Sequence, residues 1–226
     1  MEDASDKTAS ARLQAIQTEL LGLARKSKRA PDDITLIAVS KTYGAETITP
    51  VLEAGHRVFG ENRVQEAARK WPALRRDYTD VQLHLIGALQ SNKAAEAVGL
   101  FDFIHSLDRP KLAAALARAM AESGRKHRLF VQVNTGDEPQ KAGVPVADVA
   151  GFVSDCRTQH GLSIEGLMCL PPLGDAAGPH FALLGKLAAS LDLACLSMGM
   201  SADYPAAVSR GATHIRLGTA IFGPRG

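Results

Sequence analysis

A repeated alternation of short apolar segments with helical segments is the feature that most constrains this fold. Eight segments rich in β-branched or aromatic residues have stretches of helical composition, rich in residues such as Ala and Leu, between them. They span residues 34–40, 57–60, 81–87, 101–106, 129–134, 163–170, 195–199 and 214–218. No hairpin turn signal separates successive segments, so this pattern predicts a parallel sheet with helices packed against it.

Eight strand–helix units are the number that a closed (β/α)8 barrel requires, and 226 residues lie in the lower size range of that α/β fold. An open, doubly wound sheet is the alternative. An amphipathic helix over about residues 8–28 precedes the first strand, with apolar residues such as Leu13, Ile16 and Leu20 at helical spacing. No linker divides the chain, so we expect one domain over residues 1–226, with the barrel at about 34–223.

Composition excludes several classes of protein. The formal net charge is only +2 and 5% of the residues are aromatic, so we expect no nucleic-acid partner. Uninterrupted apolar runs fall short of the roughly 18 residues that a membrane span needs. The first six residues include three acidic ones and show no basic start followed by an apolar run, so we expect no secretory signal. Three widely spaced cysteines show no metal-binding pattern, so we expect a cytoplasmic protein without a metal site.

The first predicted strand runs directly into Lys41. In a barrel, the carboxyl ends of the strands form the face that carries active sites. Apolar surroundings there favour a lowered lysine pKa and an amine that forms a Schiff base with a carbonyl compound. A solvated lysine that merely ends a strand is the alternative interpretation.

Two loops near the end of the chain favour a phosphate site. Residues 196–201 and 215–220 follow the last two predicted strands and carry Gly, Ser and Thr. Barrels often bind phosphate at this position, where glycine allows close backbone approach and N–H and hydroxyl groups donate hydrogen bonds. Each loop by itself is also compatible with a tight turn. Together with Lys41, the two loops indicate pyridoxal 5′-phosphate (PLP) or a phosphorylated sugar aldehyde as the ligand.

Six ordered motifs extend this pattern over nearly the whole chain. They are Val39-Ser40-Lys41-Thr42, Phe59-Gly60-Glu61-Asn62 with Val64-Gln65-Glu66, the segment 84–93 that begins His-Leu-Ile-Gly, Gly166-Leu167-Met168, the segment 196–201 and the segment 216–223. In these motifs the chain resembles the pyridoxal phosphate homeostasis protein family. The resemblance implies a single barrel similar to the N-terminal domain of bacterial alanine racemase, with PLP held as an internal aldimine.

Residue roles follow from the resemblance, motif by motif. It implies that Lys41 forms the aldimine and that Arg216 faces the pyridine nitrogen. Asn62 and His84 are expected to touch the ring or the aldimine, although His84 is equally typical of a core or rim histidine. The residues expected around the phosphate are Ser197, Met198, Ser201, Gly218 and Thr219.

The chain also departs from the family pattern at two positions and carries two further candidate lysines. Leu85 stands where phenylalanine is more frequent and Cys169 where a small residue is usual, and both changes concern packing. Lys93 and Lys141 are candidate secondary aldehyde acceptors, with exposed loop lysines as the alternative.

The resemblance implies a protein that buffers PLP or passes it to apo-enzymes, and we expect it to act as a monomer without a catalytic residue. A PLP-dependent racemase or decarboxylase is the second hypothesis. It needs an acid or base opposite the lysine, and Tyr43 is the tyrosine nearest to Lys41 in the sequence. A Schiff-base aldolase acting on a phosphosugar is the third.

Overall fold

A computed structural model of the protein describes residues 8–224. The expectation of no secretory signal concerns the first six residues and therefore lies outside the described part of the chain. Within residues 8–224, eight parallel strands close into a barrel. These strands are β1 (Thr35–Val39), β2 (Val58–Glu61), β3 (Gln82–Leu85), β4 (Phe103–Leu107), β5 (Arg128–Asn134), β7 (Ile164–Cys169), β8 (Cys195–Ser197) and β9 (His214–Leu217). A two-residue strand, β6 (Val144–Pro145), pairs with β5 outside the barrel.

Pairing between the first and last strands closes the barrel. Leu36 lies opposite Ile215 and Ala38 lies opposite Leu217 in the β1–β9 ladder. The predicted barrel is therefore confirmed, and the open sheet is wrong. Because all pairs are parallel, the carboxyl ends of the strands meet at one mouth.

Helices pack around the outside of the barrel. They are α1 (Ala9–Lys26), α2 (Ala45–Glu53), α3 (Val64–Asp77), α4 (Ala94–Leu100), α5 (Pro110–Ser123), α6 (Val149–Thr158), α7 (Ala177–Ser190), α8 (Tyr204–Ser209) and α9 (Thr219–Phe222). None of them has the length and apolar character needed to cross a membrane, within the described residues.

The predicted N-terminal helix is present as α1. Its first turn is capped by the Thr8 hydroxyl, which accepts a hydrogen bond from the Ala11 N–H at 3.3 Å. The helix packs against α2, α8 and α9, and the Arg12 Nε donates to the Ile221 carbonyl at 2.7 Å. Since α9 has only four residues, α1 completes the outer helical layer where the last unit of the barrel is short.

The apolar core has two parts. The larger part lies between the barrel and the helices and includes Phe59, Trp71 and Phe181, all fully buried. A smaller part fills the barrel interior, where Phe103, Phe130 and Met168 cluster. Alternate residues of each strand face these two layers, as the period of two in a β-strand dictates.

One strand was not predicted from the sequence. The strand β6 covers only Val144 and Pro145 and pairs with Val133 and Asn134 after the chain turns back. Two residues are too few to show a strand period. The loop-like segment 170–174 follows β7, as predicted for a connection between a strand and a helix.

Candidate active site at the barrel mouth

A small cavity lies at the carboxyl ends of the barrel strands. Its volume is about 180 Å³. Two cationic residues, four polar or small residues and four apolar residues line it: Lys41 and Arg216; Asn62, Ser201, Gly218 and Thr219; Val39, Ile86, Leu170 and Met200. A larger surface groove of about 530 Å³ lies beside α5 and shares no lining residue with this cavity.

Lys41 follows the end of β1 by two residues and is half-buried at the edge of the cavity. The next residue, Thr42, has a φ of +68°, so the chain turns sharply after the lysine. Tyr43 is directed toward the end of the chain: its hydroxyl donates to the Gly223 carbonyl at 2.7 Å, and its ring packs on Phe222. The turn therefore presents Lys41 to the cavity, while Tyr43 has a packing role.

Arg216 lies on β9 and is only 4% exposed. Its Nη1 donates to the Ser197 Oγ at 2.7 Å, and its Nη2 donates to the Cys169 carbonyl at 3.0 Å. Burial lowers the pKa of this guanidinium from its ordinary value, yet arginine keeps its proton in proteins. Arg216 is therefore a fixed cation and hydrogen-bond donor that borders the cavity.

Ser197 and Met198, which were expected around a phosphate, do not line this cavity. The side chain of Ser197 is fully buried inside the barrel beneath Arg216, whereas Met198 packs in the outer core. The physical reason is strand alternation, which points successive side chains to opposite faces. The chain reaches the mouth only after Gly199, whose φ is +95°.

His84 lies in the barrel core, which was one of the two positions expected for it. Its ring is fully buried, stacks on Phe103 with 4.1 Å between centroids, and is absent from the cavity lining. The Nδ1 of His84 lies 2.9 Å from the Nε2 of His105, and the Nδ1 of His105 lies 2.9 Å from the Ser197 Oγ. A hydrogen-bonded chain thus runs through the barrel interior from His84 to Arg216. Burial holds the pKa of both histidines well below its usual range, which favours the neutral form of each ring.

Asn62 follows β2 and lines the cavity as expected. A close backbone approach from the next strand holds its position. A Cβ atom added at Gly87 would lie 2.3 Å from the Asn62 carbonyl oxygen, so position 87 admits only glycine without a shift of the backbone.

A second cavity of about 310 Å³ adjoins the first and shares Asn62, Ile86 and Leu170 with it. Lys141 lines this second cavity, and its Nζ forms an ion pair with Glu138 at 2.5 Å. Lys93 forms a partly exposed ion pair with Glu96 at 2.9 Å and lines neither cavity.

The three cysteines are free thiols. Burial raises the pKa of Cys156 to about 11 and that of Cys169 to about 12. Protonated thiols are poor nucleophiles, so both residues have a packing role. In the part of the chain described, no group of three or more His, Cys, Asp or Glu side chains could hold a metal ion.

Several residues that line the mouth were not predicted from the sequence as site residues. Ile86, Leu170 and Met200 supply apolar surface to the cavity, and nothing in their type marks them as functional. The His105 ring was detectable in principle, because it is a polar residue within a buried strand, but its partners are not visible in the sequence.

The family relationship is clear from comparisons with known proteins. Residues 12–226 match the alanine racemase N-terminal domain family. A pyridoxal phosphate homeostasis protein from Vibrio alginolyticus is 36% identical over 211 residues, covering 89% of this chain and 91% of the relative. One from Escherichia coli strain K12 is 33% identical over 222 residues, covering 94% and 95%. The chain belongs to the pyridoxal phosphate homeostasis protein family.

Solved structures agree with this membership in the pyridoxal phosphate homeostasis protein family. The structure of PipY from Synechococcus elongatus PCC7942 with PLP bound is 41% identical, covers 96% of this chain and 100% of PipY, and has a TM-score of 0.84. An alanine racemase from Clostridium difficile 630 has a TM-score of 0.69 at 13% identity, and it covers 92% of this chain and 56% of the racemase. That second likeness concerns the fold alone.

Proposed function

We propose that this protein binds PLP at the barrel mouth as an aldimine of Lys41, and that it buffers the cofactor or passes it to apo-enzymes. The observation that carries the proposal is the convergence of Lys41, Arg216 and the 218–219 turn on one cavity of about 180 Å³. An amine, a fixed guanidinium and a set of small and hydroxyl residues fit the aldehyde, the ring nitrogen and the phosphate of PLP. The amine of Lys41 would condense with the aldehyde, with loss of one water.

The phosphate end of the ligand would lie among Ser201, Gly218 and Thr219. Two of these residues carry hydroxyl donors, and glycine allows a close approach of the backbone. Arg216 would donate a hydrogen bond to the pyridine nitrogen and leave that atom unprotonated, because a guanidinium does not give up its proton. Asn62 would contact the ring from the opposite side of the mouth. The structure of PipY with PLP bound supports PLP as the ligand.

When bound, PLP supplies an electrophilic aldehyde and an electron-withdrawing ring. Racemisation would need a second acid or base opposite the lysine. Of the described residues that line the cavity, Lys41 is the one whose side chain is an amine, and the lining holds no carboxylate, histidine or tyrosine. Tyr43 donates its hydroxyl to the Gly223 carbonyl instead. These features favour a carrier over an enzyme, as do the names of the relatives.

The test is the absorbance spectrum of the purified protein with added PLP, before and after borohydride reduction, followed by peptide mapping. We expect an aldimine band in the wild-type protein and a reduced adduct on Lys41. The variant Lys41→Ala should lose the band, whereas the control variants Lys93→Ala and Lys141→Ala should keep it. A full-strength band in Lys41→Ala, with the adduct on Lys93 or Lys141, would overturn the assignment.

The proposal also covers the domain organisation, the oligomeric state and the cellular location of the protein. We propose that residues 1–226 form one PLP-binding domain that acts as a monomer in the reducing cytoplasm, where free thiols such as Cys156 persist. Sedimentation analysis with and without PLP tests the oligomeric state, and a stable dimer would contradict this part of the proposal.

A further inference from the structure

A buried lysine lies directly behind the turn that carries Lys41. Lys70 belongs to α3, and its side chain is only 10% exposed. The Nζ donates to the Ser40 carbonyl at 2.7 Å and to the Tyr43 carbonyl at 3.1 Å. These two carbonyl groups bracket Lys41 in the sequence, so one ammonium group holds both ends of the turn.

Two carboxylates complete the surroundings of this ammonium group. The Glu61 Oε1 lies 2.8 Å from the Lys70 Nζ, and the Glu66 Oε1 lies 3.0 Å from it. Glu66 also accepts a hydrogen bond from the Thr42 N–H at 2.5 Å. Glu61 accepts one from the Ser40 hydroxyl at 2.5 Å. The cluster of Lys70, Glu61 and Glu66 therefore contacts the residues on both sides of Lys41, and we call it the clasp.

The turn needs such support because of the conformation of Thr42. Its φ of +68° lies in the left-handed region, which β-branched residues rarely adopt. This conformation lowers the population of the turn by a factor on the order of ten. The contacts of the clasp at Ser40, Thr42 and Tyr43 offset this cost.

We propose that Lys70 is a positioning residue, which holds the β1–α2 turn in the conformation that presents the Lys41 amine to the ligand at the barrel mouth. This inference deepens the proposed function and rests on Lys41 as the residue that forms the aldimine. Lys70 acts through backbone contacts rather than by touching the ligand, since it does not line the cavity.

The charges of the clasp depend on one another. The Glu61 side chain is fully buried, and its Oε2 has no hydrogen-bond partner among the described residues. Burial raises the pKa of Glu61, and the neighbouring Lys70 ammonium acts in the opposite direction. Without Lys70, two carboxylates would share the site without a cation between them, which favours protonation of Glu61 and release of the turn.

The first experiment uses the apo-protein and hydrogen exchange measured by mass spectrometry. In Lys70→Met, we expect the peptide that contains residues 40–44 to exchange about tenfold faster than in wild type. The control is Arg118→Met, which removes one member of an exposed i,i+4 ion pair with Glu122 on α5. Exchange of residues 40–44 should be unchanged in this control. Equal exchange in Lys70→Met and wild type would overturn the proposal.

The second experiment measures the rate of aldimine formation after PLP is added. We expect Lys70→Met to react about tenfold more slowly than wild type. Glycine adopts the left-handed conformation readily, so adding Thr42→Gly to Lys70→Met should restore part of the rate. A purely structural role of Lys70 would not produce this recovery. A rate in Lys70→Met within about twofold of wild type would contradict the inference.

A milder variant keeps the inference testable if Lys70→Met does not fold. Glu66→Leu removes the acceptor of the Thr42 N–H but leaves the Lys70–Glu61 pair in place. It should speed exchange of residues 40–44 and slow aldimine formation, as Lys70→Met does. Normal exchange in a folded Glu66→Leu would count against the clasp. Failure of the proposed function would be distinct, because wild type itself would then form no adduct on Lys41.

Discussion

The substitution Ser197→Ala tests how Arg216 is held. It separates two roles for the Ser197 hydroxyl, which are support of the Arg216 guanidinium and contact with a phosphate. In the structure, the Ser197 Oγ accepts from the Arg216 Nη1 at 2.7 Å and lies 2.9 Å from the His105 Nδ1. Alanine removes this oxygen without adding bulk. His105 is fully buried and Arg216 is nearly fully buried, so neither side chain can form a hydrogen bond to bulk water in place of the one that is lost.

The magnitude follows from the groups left without a partner. An unsatisfied buried donor costs about 1–3 kcal/mol, and more when it is charged. With one guanidinium N–H and one imidazole nitrogen affected, we expect the free energy of unfolding to fall by about 3 kcal/mol. For a chain of this length, that loss lowers the melting temperature by roughly 6–12 °C.

The assay is thermal and chemical unfolding of the apo-protein, with Ser209→Ala as the matched control. The Ser209 hydroxyl is exposed and donates to the Ala206 carbonyl at 2.8 Å, so its loss should change stability by no more than about 0.5 kcal/mol. A change equally small in Ser197→Ala would refute the reasoning. If that variant instead kept its stability and lost affinity for PLP but not for pyridoxal, Ser197 would belong to the phosphate site after all.

Three other predictions address the ligand and the barrel interior. Gly218→Leu should weaken PLP binding in a fluorescence titration. It should not unfold the protein, because a Cβ at this position first meets the Val39 carbonyl at an ordinary 3.4 Å. In the same assay unphosphorylated pyridoxal should bind far more weakly than PLP, and unchanged affinity in either case would place the phosphate elsewhere. The PLP-loaded protein should not exchange the Cα hydrogen of L- or D-amino acids in deuterium oxide. Steady exchange on the order of 1 per second that disappears in Lys41→Ala would support the racemase hypothesis. Stability should fall as the pH drops below about 6.5, because burial lowers the pKa of His214 to about 4 and the unfolded chain then binds a proton that the folded chain does not. His214 by itself contributes about 1.4 kcal/mol of this fall between about pH 7.5 and 5.5, and a His214→Phe variant with the same pH dependence as wild type would contradict this assignment.

The sequence by itself determined the order and type of the main elements. The eight barrel strands and α1 are recognised from the type and spacing of their own residues, which are local properties of the chain. The strand end at Lys41 and the turn at Gly218 were predicted in the same way, and both residues line the mouth cavity. The family motifs added Asn62, Ser201, Arg216 and Thr219, which line it as well.

Only the tertiary structure decided which side chains meet inside the barrel and behind the Lys41 turn. The His105–Ser197 contact joins residues 92 positions apart, and the Lys70–Ser40 contact joins residues 30 apart. Closure and stagger of the barrel set which strands place their inward residues at the same height, and no local pattern contains that information. For this reason the sequence does not show that the Ser197 side chain supports Arg216 from within the barrel.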